Sequence, residues 1–348
     1  MKTIKRKTVL SLILLATVAI TQAQTLTMPE PSQDASITQR LGISDVTIKY
    51  NSPGTHGREI FGGMIPYNAI WRAGANENTT IRFSHDAMVE GKKIKAGTYG
   101  LYMIPGKEKF EILFSKFNKS WGTVLPTEEE LALKVSVTPE KIAFQEWLGY
   151  NFTERSADKL VAVLEWADVR VPFKIEFDIA KIVIDNSRAE LKGQAGFSGS
   201  GYMQLAAYCL QNNTNLEEAM TWIDISISRK KTFSNLKVKA DLLLIKGEDV
   251  AAKKLMDEAF PLGNIWELNS YGYELLNEDK TTEAIKIFAF NIKKHSNHHL
   301  VWRFIDSLGE AYLKDGNNKM ALKYYKEAKE KAPASQDVYF DGILSQLK

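Results

Sequence analysis

The sequence predicts an α+β protein of two domains, an N-terminal antiparallel β-sandwich of jelly-roll-like character followed by an all-α solenoid of helical hairpins. Three observations support this prediction. The length of 348 residues suits about two domains. Apolar residues alternate with a period of two between residues 44 and 178. From residue 179 onward the period becomes helical, and small residues recur at intervals of 32 to 37 residues.

The first 23 residues have the three parts of a cleaved signal peptide. Four basic residues within the first seven positions precede an apolar run over residues 9–20, and small residues lead to Ala23. The run is shorter than the roughly 20 apolar residues that span a bilayer. We therefore predict cleavage after Ala23 and an N-terminal extension over residues 24–43. The mature protein is expected to be soluble, without an integral membrane segment, in the periplasm or secreted.

The charge balance argues against a nucleic-acid partner. The chain has 45 basic and 42 acidic residues, and four of the basic ones lie in residues 1–23, which contain no acid. The remaining sequence carries 41 basic against 42 acidic residues. A near-neutral protein of this kind lacks the basic excess that phosphate backbones require. The single cysteine, Cys209, excludes an intramolecular disulfide.

Residues 44–178 contain the alternating runs of the β-sandwich. These short runs are rich in β-branched and aromatic residues and are separated by turn residues such as Ala-Gly and Pro-Gly, a pattern typical of antiparallel strands. They cover residues 46–50, 80–83, 99–104, 110–114, 133–137, 160–166 and 169–177. Eight or nine strands at this spacing predict a sandwich or a closed barrel.

Residues 51–79 interrupt the strand pattern and form the candidate functional segment. A connection of about 29 residues without its own periodicity is unusual in a compact domain and tends to be a functional loop. Two arginines here suit a carboxylate or sulfate group, and two aromatic rings suit a sugar ring or a peptide side chain. The predicted ligand-binding residues are Arg58, Tyr67, Trp71, Arg72, Asn76 and Glu77.

Two other interpretations of this loop remain open at the level of sequence. In the structural one, Arg58 and Arg72 form buried ion pairs with Glu59 and Glu77 and fix the loop over the open end of the sandwich, because a long loop must satisfy its own backbone and charges. In the enzymatic one, Glu59 and Glu77 are the acid/base pair of an envelope- or polysaccharide-directed hydrolase. Glycosidase chemistry would then place the two carboxyls about 5–10 Å apart.

The motifs of this segment resemble a known family. They are Ser52-Pro53, Gly57-Arg58, Ile60-Phe61-Gly62-Gly63, Pro66-Tyr67, Trp71-Arg72-Ala73-Gly74-Ala75-Asn76-Glu77 and Ala96-Gly97-Thr98-Tyr99-Gly100-Leu101. Residues 30–178 resemble the DUF2911 family of exported bacterial proteins. The resemblance implies an exported β domain followed by a helical-repeat tail, and it implies no activity. Asn68 stands where that family commonly has glycine.

Residues 179–201 are predicted to be a helix and a Gly-rich linker. The glycines between 193 and 201 follow no strand and precede no lysine at a helix start, so they do not match a phosphate-binding loop. Ser198 also lacks the second glycine of a nucleophile elbow, because Ser200 occupies that position. We expect a flexible connector here.

Residues 202–348 are predicted to contain about four helical hairpins. Two series of small residues define the repeat: Ala207, Ala240, Gly272 and Gly309, then Ala219, Ala251, Ala284 and Ala321. The last unit adds Leu308-Gly309, Tyr312, Tyr325 and a closing Pro333. This pattern resembles the tetratricopeptide repeat, and the resemblance implies a solenoid whose concave face binds a protein or peptide.

The sequence favours a binding protein over an enzyme. His56 and His85 have no spaced His or Cys partners, and the histidines at 295, 298 and 299 fall in a polar helix connection. We therefore predict no catalytic residue, no metal and no cofactor. Our interpretation is an exported, non-enzymatic interaction protein, with repeats that recognise a protein or peptide and a β domain that holds a small acidic or glycan ligand. The hydrolase and a purely structural role are the rivals.

Overall fold

A computed structural model describes residues 29–122 and 124–347. The chain divides into two compact units, residues 1–178 and 179–348. The predicted signal peptide lies outside the described residues.

The described part of the first unit forms ten strands. These are β1 Gln33–Leu41, β2 Ser44–Ser52, β3 Thr80–Phe83, β4 Ala87–Val89, β5 Lys92–Ile94, β6 Gly97–Ile104, β7 Phe110–Ser115, β8 Leu131–Val137, β9 Glu140–Thr153 and β10 Lys159–Glu176. Six of them form one antiparallel sheet in the order β1-β2-β3-β6-β7-β8, and four form a second in the order β5-β4-β10-β9.

The inner faces of the two sheets share one core, which confirms the predicted sandwich. Val46, Ile48 and Phe114 of the larger sheet and Phe173 of the smaller one are almost fully buried. The rings of Phe114 and Phe173 meet edge to face, with centroids 6.2 Å apart. This arrangement follows from the alternation in the sequence, because successive side chains of a strand point to opposite faces.

The sandwich begins earlier than predicted. Strand β1 lies inside the stretch that we interpreted as an N-terminal extension, residues 24–43, and pairs with β2 from Gln33 opposite Ser52 to Leu41 opposite Ser44. Its only fully buried residue is Leu41. An edge strand with so little apolar surface gives a weak alternating signal.

The second unit is helical throughout its described residues. Its helices are α1 Ile179–Glu190, α2 Gly199–Gln211, α3 Leu216–Arg229, α4 Phe233–Ile245, α5 Asp249–Ala259, α6 Ile265–Asn277, α7 Thr281–Lys294, α8 Val301–Lys314, α9 Asn318–Lys331 and α10 Asp337–Gln346. Helices α2 to α9 pack as four consecutive hairpins, as predicted. We call α2, α4, α6, α8 and α10 the first helices, and α3, α5, α7 and α9 the second helices.

Small residues allow the helices of each hairpin to approach closely. A Cβ atom on Gly272 would lie 2.4 Å from the Phe288 ring, and one on Gly309 would lie 3.2 Å from Tyr325. In each of the two degenerate units, one of the two predicted small-residue positions was wrong by one residue. The fully buried alanines are Ala206 and Ala252, whereas Ala207 and Ala251 are more exposed. Each unit has two alanines in a row, so the pattern alone did not separate them.

The predicted flexible connector is largely ordered structure. Helix α2 begins at Gly199, and Gly201 lies in its first turn. A Cβ on Gly196 would meet the Leu191 carbonyl oxygen at 1.9 Å, and one on Gly201 would meet the Ala195 carbonyl oxygen at 2.7 Å. The glycines permit a tight backbone approach. Further along α2, Cys209 is fully buried in a cluster with Ala219 and Trp222, and its burial raises the pKa of the thiol.

Candidate functional site

The long loop between β2 and β3 is attached to β9 at its start. The Thr55 amide donates to the Glu146 carbonyl oxygen at 2.8 Å, and the Thr55 hydroxyl donates to the Glu146 carboxylate at 2.5 Å. The His56 amide donates to the other carboxylate oxygen at 2.9 Å. These hydrogen bonds hold the pKa of Glu146 below its ordinary value. The carboxylate that binds the start of the loop therefore comes from Glu146 of β9, outside the loop.

Arg58 supports the backbone of this loop. Its guanidinium donates to the Thr55 carbonyl oxygen and to the Gly54 carbonyl oxygen, both at 2.8 Å. Among the described residues it forms no ion pair, so the predicted pairing with Glu59 is wrong. Two carbonyl oxygens of a tight turn accept from one planar donor, which suits the fixed fork of an arginine.

Arg72 is bonded to a different segment. Its Nη1 donates to the Gly122 carbonyl oxygen at 2.7 Å, and its Nε is buried without a hydrogen-bond partner in the described structure. Desolvation lowers the pKa of Arg72 below its ordinary value. No ion pair joins it to Glu77 among the described residues. The two arginines thus serve separate backbone segments, and nothing in their contacts brings them together as one fork.

Trp71 belongs to the core of the sandwich. Its side chain is 7% exposed, and its indole N–H donates to the Gly74 carbonyl oxygen at 3.1 Å. Its backbone pairs with Met103 of β6 in both directions at 2.8 Å. The predicted stacking of this ring on a ligand is therefore wrong, because both its polar atom and its faces are used inside the protein.

Tyr67 packs on Gly62, the first of two consecutive glycines of the loop. A Cβ on Gly62, where φ is +94°, would lie 2.5 Å from the Tyr67 ring, and one on Gly63 would lie 2.5 Å from the Glu59 carbonyl oxygen. The Gly62-Gly63 motif is thus explained by a close ring contact and a tight turn. Tyr67 remains half-buried.

Asn76 and Glu77 lead to an open cleft. The side-chain amide of Asn76 donates to the Glu30 carboxylate. The backbone carbonyl oxygen of Asn76 accepts from the Gly122 backbone amide at 3.3 Å. The exposed Glu77 pairs through its backbone with Trp121. Of the predicted ligand-binding residues, only Glu77 lines this cleft.

The cleft has a volume of about 640 Å³, within the usual range for small-ligand sites. Strands β1 and β2, the stretch 77–80 and the segment 118–121 form its lining. The lining side chains include Asp34, Ser36, Lys49, Glu77, Asn78, Thr80, Asn118, Lys119, Ser120 and Trp121.

Its inner wall is a hydrogen-bonded group of neutral polar side chains. The Tyr102 hydroxyl donates to Asn78 Oδ1 at 2.9 Å and lies 2.9 Å from the Ser120 hydroxyl, which also donates to Asn78 Oδ1 at 3.1 Å. Asn78 and Ser120 are each 8% exposed. Burial raises the pKa of Tyr102, so this phenol is a neutral donor at physiological pH.

The predicted acid/base pair is not assembled here. Glu77 lines the cleft, whereas Glu59 lies in the exposed turn whose carbonyl oxygen accepts from the Met64 amide at 2.9 Å. Glu59 is not among the residues that line the cleft, and no contact of the described residues pairs it with Glu77 in the manner of a glycosidase.

Sequence reasoning missed the residues that form the cleft wall. Asn78 lies more than 40 positions along the chain from Ser120 and Trp121, and backbone pairing joins the two stretches, with the Asn78 amide donating to the Ser120 carbonyl oxygen at 3.0 Å. The one local signal was a tryptophan outside any alternating run, Trp121, which is 70% exposed.

In the helical unit, side chains of successive first helices contact one another. The Ser234 hydroxyl donates to Glu267 at 2.7 Å, and Lys237 pairs with Glu274 at 2.8 Å, which joins α4 to α6. The Tyr273 hydroxyl donates to Glu310 at 2.7 Å, which joins α6 to α8.

Helices α8 and α10 continue the series. The Tyr339 hydroxyl donates to the Asp306 carboxylate at 3.3 Å. Burial raises the pKa of Asp306 to about 6. Trp266 of α6 is 48% exposed and meets Phe304 of α8 edge to face at 5.0 Å. We call the side chains of these cross-helix contacts the first-helix row.

Charge is segregated between the two sets of helices. Helices α6, α8 and α10 carry six acidic and two basic residues. Helices α7 and α9 carry eight basic and three acidic residues. The first helices of this part of the array are therefore acidic and the second helices basic.

Two further features of the described residues bear on function. No group of three or more His, Cys, Asp or Glu side chains in the described ranges is arranged to hold a metal ion. Over the same ranges, none of the helices combines the length and hydrophobicity that crossing a bilayer requires.

Comparison with known proteins identifies the class of the first unit. Residues 32–175 match the model of a family described as a protein of unknown function, DUF2911. The β domain of this chain is thus similar to the DUF2911 family, as its motifs indicated. No curated protein matches the chain.

Solved structures with helical repeats are similar to the helical region at low identity. A structure of PilF from Pseudomonas aeruginosa is 17% identical over 44% of this chain and 69% of that chain, with a TM-score of 0.31. A structure of MamA is 17% identical over 44% of this chain and 88% of that chain, with a TM-score of 0.30. A structure of the tetratricopeptide protein YrrB is 15% identical over 44% and 79%, with a TM-score of 0.28. The hairpin array itself is established by the helices and contacts described above.

Proposed function

We propose that this chain is an exported, non-enzymatic binding protein whose helical array recognises a peptide segment rich in Lys and Arg. The observation that carries the proposal is the segregation of charge, with acidic first helices and basic second helices from α6 to α10. Stacked hairpins present an extended concave surface that binds partners, and we assign this surface to the first helices.

The first-helix row supplies the chemistry that such a peptide needs. The carboxylates of Glu274 and Glu310 each use one oxygen in a contact with a neighbouring first helix, and the other oxygen can accept from a peptide. Glu267 uses both oxygens, which accept from the Ser234 hydroxyl and the Asn264 amide and keep further lone pairs. The half-exposed Trp266 offers an aromatic face to a cationic side chain. Charge complementarity of this kind raises the rate of encounter and selects against acidic partners.

A matched pair of triple variants tests the proposal. The probes are a fluorescein-labelled nonapeptide of alternating Lys and Ser and its Glu-Ser counterpart, measured by fluorescence anisotropy on the full chain. One variant changes the first helices, Glu267→Gln, Glu274→Gln and Glu310→Gln. The control removes the same charge from exposed positions of the second helices, Glu217→Gln, Glu283→Gln and Glu330→Gln.

The expected result is a loss of about tenfold in affinity for the Lys-Ser peptide in the first-helix variant and less than twofold in the control, because each surface charge contributes about 0.2–1 kcal/mol. Equal losses in both variants, or equal binding of the Glu-Ser peptide, would show that the first helices are not the recognition surface.

A further inference from the structure

The cleft of the β domain lies on the outer face of the six-stranded sheet. Lys49 of β2 stands opposite Ser36 of β1 and opposite Thr80 of β3. Residues opposite each other in an antiparallel sheet project to the same side. Ile48, the neighbour of Lys49, is fully buried in the core, so these three side chains point away from it. They form a polar floor.

Hydrogen bonds within the protein order the wall of the cleft without a ligand. The Asn78 amide donates to the Ser120 carbonyl oxygen at 3.0 Å, and Glu77 pairs through its backbone with Trp121. Behind them the Tyr102 hydroxyl is fixed between Asn78 and Ser120. A site whose polar groups are already ordered loses little conformational entropy on binding.

Trp121 stands at the rim with 70% of its surface exposed. Leaving an indole in water forgoes stabilisation that burial would give. Trp71 of the same domain is buried, as is usual for a tryptophan, and its side chain is only 7% exposed. An exposed aromatic ring beside a polar cleft provides a flat surface against which an apolar ligand face can stack.

The charges that line the cleft are balanced. Lys49 and Lys119 stand against Asp34 and Glu77, so the cleft has no net charge that would select an anion or a cation. Neutral polar groups line the cleft beside them: the amide of Asn118 and the hydroxyls of Ser36 and Thr80, with Asn78 and Ser120 hydrogen-bonded to each other in the wall.

We propose that this cleft binds an uncharged oligosaccharide, with Trp121 stacked on a sugar ring and the Asn118 amide and the Ser36 and Thr80 hydroxyls bonded to the sugar hydroxyls. A saccharide combines a C–H face with many neutral hydroxyl groups, which is the combination that the lining of the cleft complements. The volume of about 640 Å³ accommodates a short glycan of a few rings.

Isothermal titration calorimetry on the full chain tests this inference. The probes are the neutral hexaoses cellohexaose, xylohexaose, laminarihexaose, maltohexaose and chitohexaose, with hexagalacturonate as the anionic arm. The variants are Trp121→Ala and Asn118→Ala, with Trp121→Phe as the conservative replacement. Trp147→Ala is the matched control, because Trp147 is 48% exposed in the same domain and does not line the cleft.

We expect at least one neutral hexaose to bind and Trp121→Ala to weaken its binding at least tenfold. Trp121→Phe should retain most of the affinity, Asn118→Ala should lose several-fold, and Trp147→Ala should change it less than twofold. The inference is overturned if no neutral hexaose binds, if hexagalacturonate binds more tightly than all of them, or if Trp147→Ala weakens binding as much as Trp121→Ala.

Discussion

The indole of Trp71 is stacked on the indole of Trp166, with ring centroids 5.8 Å apart and ring planes inclined by 22°. Trp71 comes from the long loop and Trp166 from β10, so the stack joins the loop to the smaller sheet. Phe61 of the same loop meets both rings edge to face, at 5.9 and 6.2 Å. The loop therefore contributes to the core of the sandwich.

Removing this indole should destabilise the β domain. We expect Trp71→Ala to lower the free energy of unfolding by about 3–5 kcal/mol, because the substitution leaves a large cavity among aromatic rings. This change in the free energy of unfolding is measured by urea unfolding of the full chain, monitored by near-UV circular dichroism. Trp147→Ala, at a half-exposed position, should cost less than about 1 kcal/mol. Equal effects of the two substitutions would contradict the core role of Trp71.

Two helical glycines should respond in opposite directions to the same substitution. Gly272→Ala places a methyl group 2.4 Å from the Phe288 ring and should cost about 1–3 kcal/mol. Gly342 of α10 has open space around its Cβ position, so Gly342→Ala should stabilise by about 0.5–1 kcal/mol through helix propensity. Thermal unfolding followed by far-UV circular dichroism compares the two. If both substitutions shifted the unfolding temperature in the same direction, close helix packing at Gly272 would not determine the effect of a methyl group there.

The buried carboxyl of Asp306 should make the helical unit less stable as the pH rises. Burial raises its pKa from 3.8 to about 6, with a smaller opposing effect from the Tyr339 hydroxyl. The folded state thus holds a proton that the unfolded state releases near pH 4, so this contribution to stability falls between about pH 4 and pH 6 and is constant above that range.

Asp306→Asn should remove this pH dependence. At pH 7.5 the variant should be more stable than the parent by roughly 1–2 kcal/mol, reduced from the full shift because the group is partly screened by solvent. At pH 4 the free energies of unfolding of the variant and the parent should be nearly equal. Urea unfolding at both pH values measures the difference, with Glu330→Gln as an exposed control. A variant that is less stable than its parent at pH 7.5 would show that Asp306 stabilises the fold as an ionised group.

The prediction of export concerns residues outside the described part of the chain. Expression of the entire sequence in a Gram-negative host should give a periplasmic protein whose first residue is Gln24. N-terminal sequencing and mass spectrometry of the periplasmic fraction measure this. Leu12→Arg, a charge within the apolar run, should leave the full-length protein in the cytoplasm. Recovery of an uncleaved parent chain from the cytoplasm would refute the prediction.

The fold was largely predictable because burial imposes a period on the sequence. Strand β2 alternates clearly between buried and more exposed residues, and the last hairpin has the full set of small and aromatic residues at repeat spacing. Strand β1 was missed because an edge strand buries little. The repeat position was predicted at Ala251, one residue before the buried Ala252, because both residues are alanine.

The site was mostly not predictable, for a different reason. Trp71 and Arg72 lie in a Gly-rich loop that has no period, and nothing in one sequence tells whether such a ring faces the core or a ligand. The cleft depends on backbone pairing between Glu77 and Trp121, which are distant along the chain. Contacts of that kind follow from the folded topology and leave no local pattern.

The sealed position of Cys209 gives the protein a built-in reporter. As the single thiol of the chain, it has no partner for cross-linking within the molecule, and its burial in the first hairpin keeps it from reagents in solution. A maleimide can therefore label it only when that hairpin opens, and the labelling rate measures the opening frequency directly. The labelling rate of the unaltered chain thus reports local opening of the first hairpin, and no engineered probe is needed.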